Sequence, residues 1–190
     1  MIRSAAILML ALSACVSAAR AQEVVLEPEG YRTEEYRAPV PETLAGARVI
    51  TTADAEAIWR ARNGVFIDVL PRPPKPELPA GTIWRDRPRE DIPGSIWLPD
   101  TGYGQLAKAT EDYLRRGVEQ AVGGNHAALI VVYCQAHCWM SWNAAKRLVS
   151  YGYTNVAWYP DGTDGWDRAS LPMVQAQPEP RPGERGSASK

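Results

Sequence analysis

An uninterrupted apolar run, Leu129-Ile130-Val131-Val132-Tyr133, stops at Cys134, and after a short loop a helical pattern begins. A strand that is apolar on both faces belongs in the middle of a parallel sheet covered by helices. In such folds ligands and chemistry gather at the carboxyl ends of the strands. Cys134 stands there, and the amide groups of the coming helix are expected to point back at its sulfur and ease its ionisation.

The helix is read from Ser141 to Tyr151, with Trp142, Ala145, Leu148 and Val149 on one face and Asn143, Lys146, Arg147 and Ser150 on the other. Gly152 supplies its stop, and a second strand follows at Asn155 to Tyr159. A turn from Pro160 to Gly165 then leads through Trp166 to Leu171-Pro172. Upstream, Val49-Ile50 reads as a short strand, and Thr52 opens a helix with Ala53, Ala57 and Ile58 on its apolar face. Strands are expected at Val65 to Leu70 and Ser95 to Leu98, and a helix at Leu106 to Gln120. Pro71 to Pro93, rich in proline, is expected to be a long loop that contacts a substrate or partner, or is mobile. Alternating strands and helices give an α/β domain with a central, mostly parallel sheet flanked by helices.

On these residues the chain resembles the rhodanese-like family. The resemblance is carried by Val65-Phe66-Ile67-Asp68-Val69, Ile92-Pro93-Gly94-Ser95-Ile96, Tyr133-Cys134, Gly152-Tyr153-Thr154-Asn155-Val156, Asp161-Gly162, Trp166 and Leu171-Pro172. More narrowly, Cys134 to Arg147 is similar to a bacterial group named for a Cys-Cys-Trp motif and associated with pyrroloquinoline-quinone-dependent alcohol catabolism. That label places two residues between the cysteines, whereas three stand here. The resemblance implies sulfur chemistry in support of a periplasmic quinone-dependent dehydrogenase system. It also places Asp68 near the cysteine loop, where it would orient the loop or a basic residue, or make a purely structural hydrogen bond.

The chain has 190 residues and a formal charge of −1. Residues 1–21 read as a signal peptide: Arg3 is the positive region, Ala5 to Ala14 the apolar region and Ala19-Arg20-Ala21 the cleavage site. A periplasmic location follows. The apolar region is too short to span a membrane. Leu12-Ser13-Ala14-Cys15 also resembles a lipobox, which would leave a lipid anchor on Cys15. Loss of the signal removes two arginines from 21 basic residues and none of the 22 acids, leaving −3. With no long basic cluster, nucleic acid is excluded as a partner. Residues 22–47 read as an extended arm, free or laid on the surface through Tyr31, Tyr36, Val40 and Leu44. Residues 48–174 form the domain, and 175–190 are expected to be a disordered tail.

The candidate catalytic residues are Cys134 and Cys138, in an active-site loop with Gln135, Ala136, His137, Trp139, Met140 and Ser141; Asp68 is the supporting residue. A persulfide needs an exposed thiol in a cradle of amides, and no metal or cofactor is expected. The family's usual Gly three residues after the cysteine is His137 here, and its usual Arg or Lys five residues after is Trp139. An anionic thiosulfate therefore lacks a charged partner, so thiosulfate:cyanide transfer is expected to be poor. A helical spacing of four would place the two Cα atoms about 6 Å apart, within disulfide reach. The substrate class is a small sulfur-containing or redox molecule, and the activity that of a sulfurtransferase or thiol oxidoreductase. Three alternatives stay open: cysteines that merely pack, a copper(I) site at Cys134, His137 and Cys138, and a non-enzymatic module that binds a partner or cofactor. A c-type haem is excluded because Trp139, not His, follows the second cysteine. Asp161, Asp164 and Asp167 lack calcium-loop spacing, and His126 is expected to face solvent.

Overall fold

The computed structural model describes residues 24–74, 76–82 and 88–183. The expected signal peptide with Cys15, Lys75, Ile83 to Arg87 and the last residues of the tail lie outside the described residues. In chain order the elements are β1 (Arg48–Val49), α1 (Thr52–Ala61), β2 (Val65–Asp68), β3 (Arg89–Asp91), β4 (Ile96–Trp97), α2 (Lys108–Val122), β5 (Ile130–Tyr133), α3 (Trp139–Ser150), β6 (Val156–Tyr159), α4 (Gly162–Arg168) and β7 (Val174–Ala176). Five strands make one wholly parallel sheet in the order β1-β6-β5-β2-β4. The apolar run leading to Cys134 is its central strand, and every residue of β5 is buried. Ile67, Val132 and Trp158 face the layer of α2 and α3, while Phe66, Val131 and Ala157 face α1 and α4. At the carboxyl edge the register aligns Asp68, Tyr133 and Tyr159 in one row.

Two local expectations shift. Helix α3 begins at Trp139 instead of Ser141, so Trp139 and Met140 form its first turn. The stretch expected as a turn before Trp166 closes into α4, whose Gly162, at φ +50°, allows the chain to pass against the Cys134 carbonyl.

The ends of the chain differ more. The tail, expected to be disordered from Gln175, is ordered through Gly183. Strand β7 pairs antiparallel with β3, itself inside the expected loop. Glu179 N donates to Trp97 O at 2.9 Å, Tyr113 Oη to Glu179 O at 2.7 Å, and Arg181 pairs with Asp100 at 2.6 Å. Such backbone pairing between distant segments leaves no periodic trace in so polar a stretch.

The arm is laid against α3 and is not free. Leu44 enters the core, with Tyr36, Ala38 and Val40 packed against it. The polar face of α3 meets this arm instead of water: Asn143 is fully buried and Arg147 nearly so. Asn143 clasps the backbone of Arg32, accepting from its N–H and donating to its C=O, both at 2.9 Å. Arg147 donates to the carbonyls of Thr101, Tyr103 and Gly104 at 3.0–3.4 Å and stacks on Tyr31. At Gly104 any side chain would collide with the Arg32 carbonyl, so that glycine is what lets the arm approach.

Candidate functional site

Strand β5 delivers Cys134 to the carboxyl edge, and a short loop turns through Gln135, Ala136 and His137 to Cys138, the residue preceding α3. The loop is pinned to α4 by bonds from Ala136 N to Asp164 Oδ2 (3.2 Å) and from Thr163 N to Cys134 O (3.0 Å). Asp164 thus holds the cysteine loop, and Asp161 lies 3.4 Å from the Thr52 hydroxyl. His137, exposed at the loop tip, has φ +51°, the left-handed conformation that glycine takes without penalty. His137 thus takes a backbone conformation that would suit the glycine expected at this position.

Cys134 and Cys138 are joined by a disulfide, with their Cα atoms 6.7 Å apart. Both are buried, at 0% and 2% exposure, and in this state they offer no thiolate pair to a copper ion. Among the described residues no cluster of His, Cys, Asp and Glu is arranged to hold a metal. The sulfur of Cys134 lies 3.6 Å from the carbonyl oxygen of Gln135 and 3.7 Å from that of Cys138. Two carbonyl oxygens thus face it. A thiolate or persulfide there would meet negative ends of dipoles.

The helix-end amide that should point at the sulfur is engaged elsewhere. Trp139 N donates to Tyr36 O of the arm at 2.9 Å, and Arg37 forms a short antiparallel bridge with Cys138. Trp139 Nε1 donates to Pro39 O at 3.0 Å, and Arg32 lies 5.3 Å over its ring. Met140 lines a shallow depression of about 660 Å³ shared with Tyr36, Ala38, Pro39 and Tyr103. Ser141 Oγ donates to Cys138 O and accepts from Trp158 Nε1 at 3.0–3.1 Å, which fixes the start of α3.

Asp68 is fully buried and does bind a basic residue, Arg89, while Leu70 N donates to it at 2.9 Å. The register places it beside Tyr133, whose hydroxyl donates to Asp91 at 2.6 Å and lies 2.5 Å from Ser95 Oγ. Burial pushes both carboxyls up. Asp68 is raised by burial against the pull of Arg89, and Asp91 is raised to about 7 by burial and by the Asp68 charge. Arg89 and Asp91 were not singled out in the sequence. The usable signal was Tyr133: a hydroxyl on a wholly buried strand must find a partner. His126, half exposed, stacks on Tyr153 and lies 3.5 Å from Glu119.

The rhodanese-like domain model matches residues 55–169, well over half of the chain. The chain belongs to the rhodanese-like domain family. No curated protein matches it. Among solved structures, this rhodanese-like domain is similar to the polysulfide-sulfur transferase homodimer of Wolinella succinogenes, at 16% identity over 70% of this chain and 82% of that one, TM-score 0.44. It is also similar to a thiosulfate sulfurtransferase from Pseudomonas aeruginosa, at 20% identity over 70% of this chain and 21% of the other, TM-score 0.48. A Saccharomyces cerevisiae protein shares 22% identity over 65% of this chain and 92% of its own, TM-score 0.39. Among the described residues no helix is long and apolar enough to cross a membrane.

Proposed function

We propose that this rhodanese-like domain takes up sulfane sulfur on Cys134 and discharges it through Cys138, cycling between a dithiol and the disulfide. The observation that carries this reading is the bond between Cys134, at the end of the central strand, and a second cysteine four residues on. In the dithiol, the Cys134 thiolate attacks the outer sulfur of a persulfide or polysulfide, and the donor leaves as its thiolate or shortened polysulfide. Cys138, deprotonated, then attacks the Cys134 sulfur, the outer sulfur departs as hydrosulfide, and the Cys134–Cys138 bond forms. Two equivalents of an external thiol return the dithiol, the first through a mixed disulfide that the second resolves, and leave as their own disulfide. The short ring between the cysteines suits a labile pair better than a structural staple. With Trp139 where a cation would stand, thiosulfate, whose leaving sulfite must be held by a charged partner, fits less well than a persulfide or polysulfide.

This chemistry is placed outside the cytoplasm, in an accessory of quinone-dependent alcohol oxidation. The leader at residues 1–21 supports the first, and the Cys-Cys-Trp resemblance the second. N-terminal mass analysis of the exported protein should find Gln22 at its start; a lipid on Cys15 would put it on a membrane surface. For the chemistry, the reduced protein mixed with polysulfide should release one hydrosulfide for each disulfide formed. If thiols are lost without hydrosulfide, or neither changes, the reading fails.

A second reading has an observation of its own. Cys134 is wholly covered and the first amide of α3 is occupied by Tyr36, which suits a closed binding module in which the disulfide merely braces the loop. Retention of biological function by a Cys134→Ser protein would favour it.

A further inference from the structure

The closed site and the arm that closes it are separable pieces of the chain. The arm offers mainly carbonyl acceptors, and the domain supplies the donors: Lys146 Nζ to Pro28 O, Asn143 to Arg32 O, Trp139 N to Tyr36 O, Trp139 Nε1 to Pro39 O and Trp142 Nε1 to Thr43 O, all within 3.1 Å. Water can replace each acceptor one at a time. Apart from the Arg37–Cys138 bridge, the arm joins no strand of either sheet. The buried residues Pro41 and Leu44 root it, and Gly46, at φ +83°, lies just beyond. Residues 24–40 can therefore leave while the root stays.

The contacts beside Cys138 include this detachable part, while Cys134 is held by Thr163 of α4. Cys138 is bridged by Arg37, the next amide is taken by Tyr36, and the Tyr36 ring packs edge-on against Tyr103 at 5.2 Å while its hydroxyl accepts from Gly104 N at 3.1 Å. While the arm is down, no solute reaches a sulfur that is 0–2% exposed. Lifting it frees the Trp139 N–H at the start of α3, a donor suited to an anionic sulfur.

We infer that residues 24–40 are a lid over the cysteine pair, and that reagents react with the sulfurs only while the lid is raised. The inference regulates the site proposed above and rests on that reading for its biological meaning, though access to the disulfide is measurable whether or not sulfur is transferred. Opening precedes reaction, so the reduction rate should rise with thiol concentration and then level off at the opening rate.

The test uses the full chain and dithiothreitol, with pulse alkylation and mass analysis following Cys134–Cys138. The unaltered protein should show the plateau, and the Trp139 amide should exchange its hydrogen at the plateau rate, while the amides of β5 stay protected. Tyr36→Ala should raise the rate about tenfold, the change implied by one lost hydrogen bond and one lost ring contact. Arg181→Ala, on the tail, should leave it unchanged. A rate that stays proportional to thiol and is unmoved by Tyr36→Ala overturns the lid, as does exchange of the β5 amides at the plateau rate, which would mean opening of the whole domain. If the lid behaves as stated but polysulfide yields no hydrosulfide, the sulfur-transfer reading falls and the lid stands.

Discussion

The N-terminal arm and the C-terminal tail both lie against the domain, but they are held by different bonds. The arm is caught by side chains of α3, above all Asn143, Trp139, Trp142 and Arg147, which reach its backbone or the loop beneath it. The tail is joined by a backbone ladder, β7 to β3, and β3 carries Arg89 and Asp91 of the buried polar network. Losing the tail would bring water to that network, whereas losing the front of the arm would uncover one disulfide. The contrast separates a segment that completes the fold from one that governs access.

The largest effect should come from the tail side. Asp91 titrates near 7 in the folded chain, against about 4 for an unfolded aspartate. Between those values the folded state holds a proton on Asp91 that the unfolded state has lost, so this group's contribution to stability falls as pH rises from about 4 to 7. The ceiling on this contribution is about 4 kcal/mol. Asp91→Asn keeps the acceptor for Tyr133 and should flatten that slope in urea titrations across the range. An unchanged slope would assign the proton elsewhere.

On the arm side, Arg147→Ala removes the donor to three carbonyls and the cation over Tyr31, and should cost about 2–3 kcal/mol in urea denaturation. A loss near zero would mean that water replaces the guanidinium and that the arm is held mainly by Asn143 and the tryptophans. Between the two segments lies His137. His137→Gly relieves its left-handed backbone and should stabilise by about 1 kcal/mol. Smallest of all, Arg181→Ala breaks a partly exposed ion pair with Asp100, 29% and 30% exposed, and should cost less than about 1 kcal/mol. A larger loss would make the tail depend on one side chain more than on its ladder.

The sheet, its central strand and the helix after Cys134 were legible because a buried parallel strand writes an unbroken apolar run and an amphipathic helix writes a period. Cys134 stood out as a thiol at a strand end, Cys138 as a second thiol four residues on, and Asp68 through the rhodanese resemblance. The closure of the site did not. Asn143 and Arg147 look like an ordinary polar helix face, and their partners are backbone groups of segments without periodicity, so nothing in the pattern says that the face is covered. The β3–β7 pair was hidden for a related reason: its strands are short, polar and far apart in the chain. Trp139, read as standing in place of a cation, also opens α3 and anchors Pro39. A Trp139→Arg change therefore disturbs the arm before it can supply a charge.

Mass analysis of a folded, reduced Cys138→Ser protein exposed to polysulfide is the most direct test of sulfur uptake at Cys134 and discharge through Cys138. The variant should hold one added sulfur on Cys134 and release no hydrosulfide until an external thiol is added, while the unaltered chain passes through the same adduct to the Cys134–Cys138 disulfide. No added sulfur on Cys134 in the folded variant, or an adduct equally lasting in both proteins, would contradict the account.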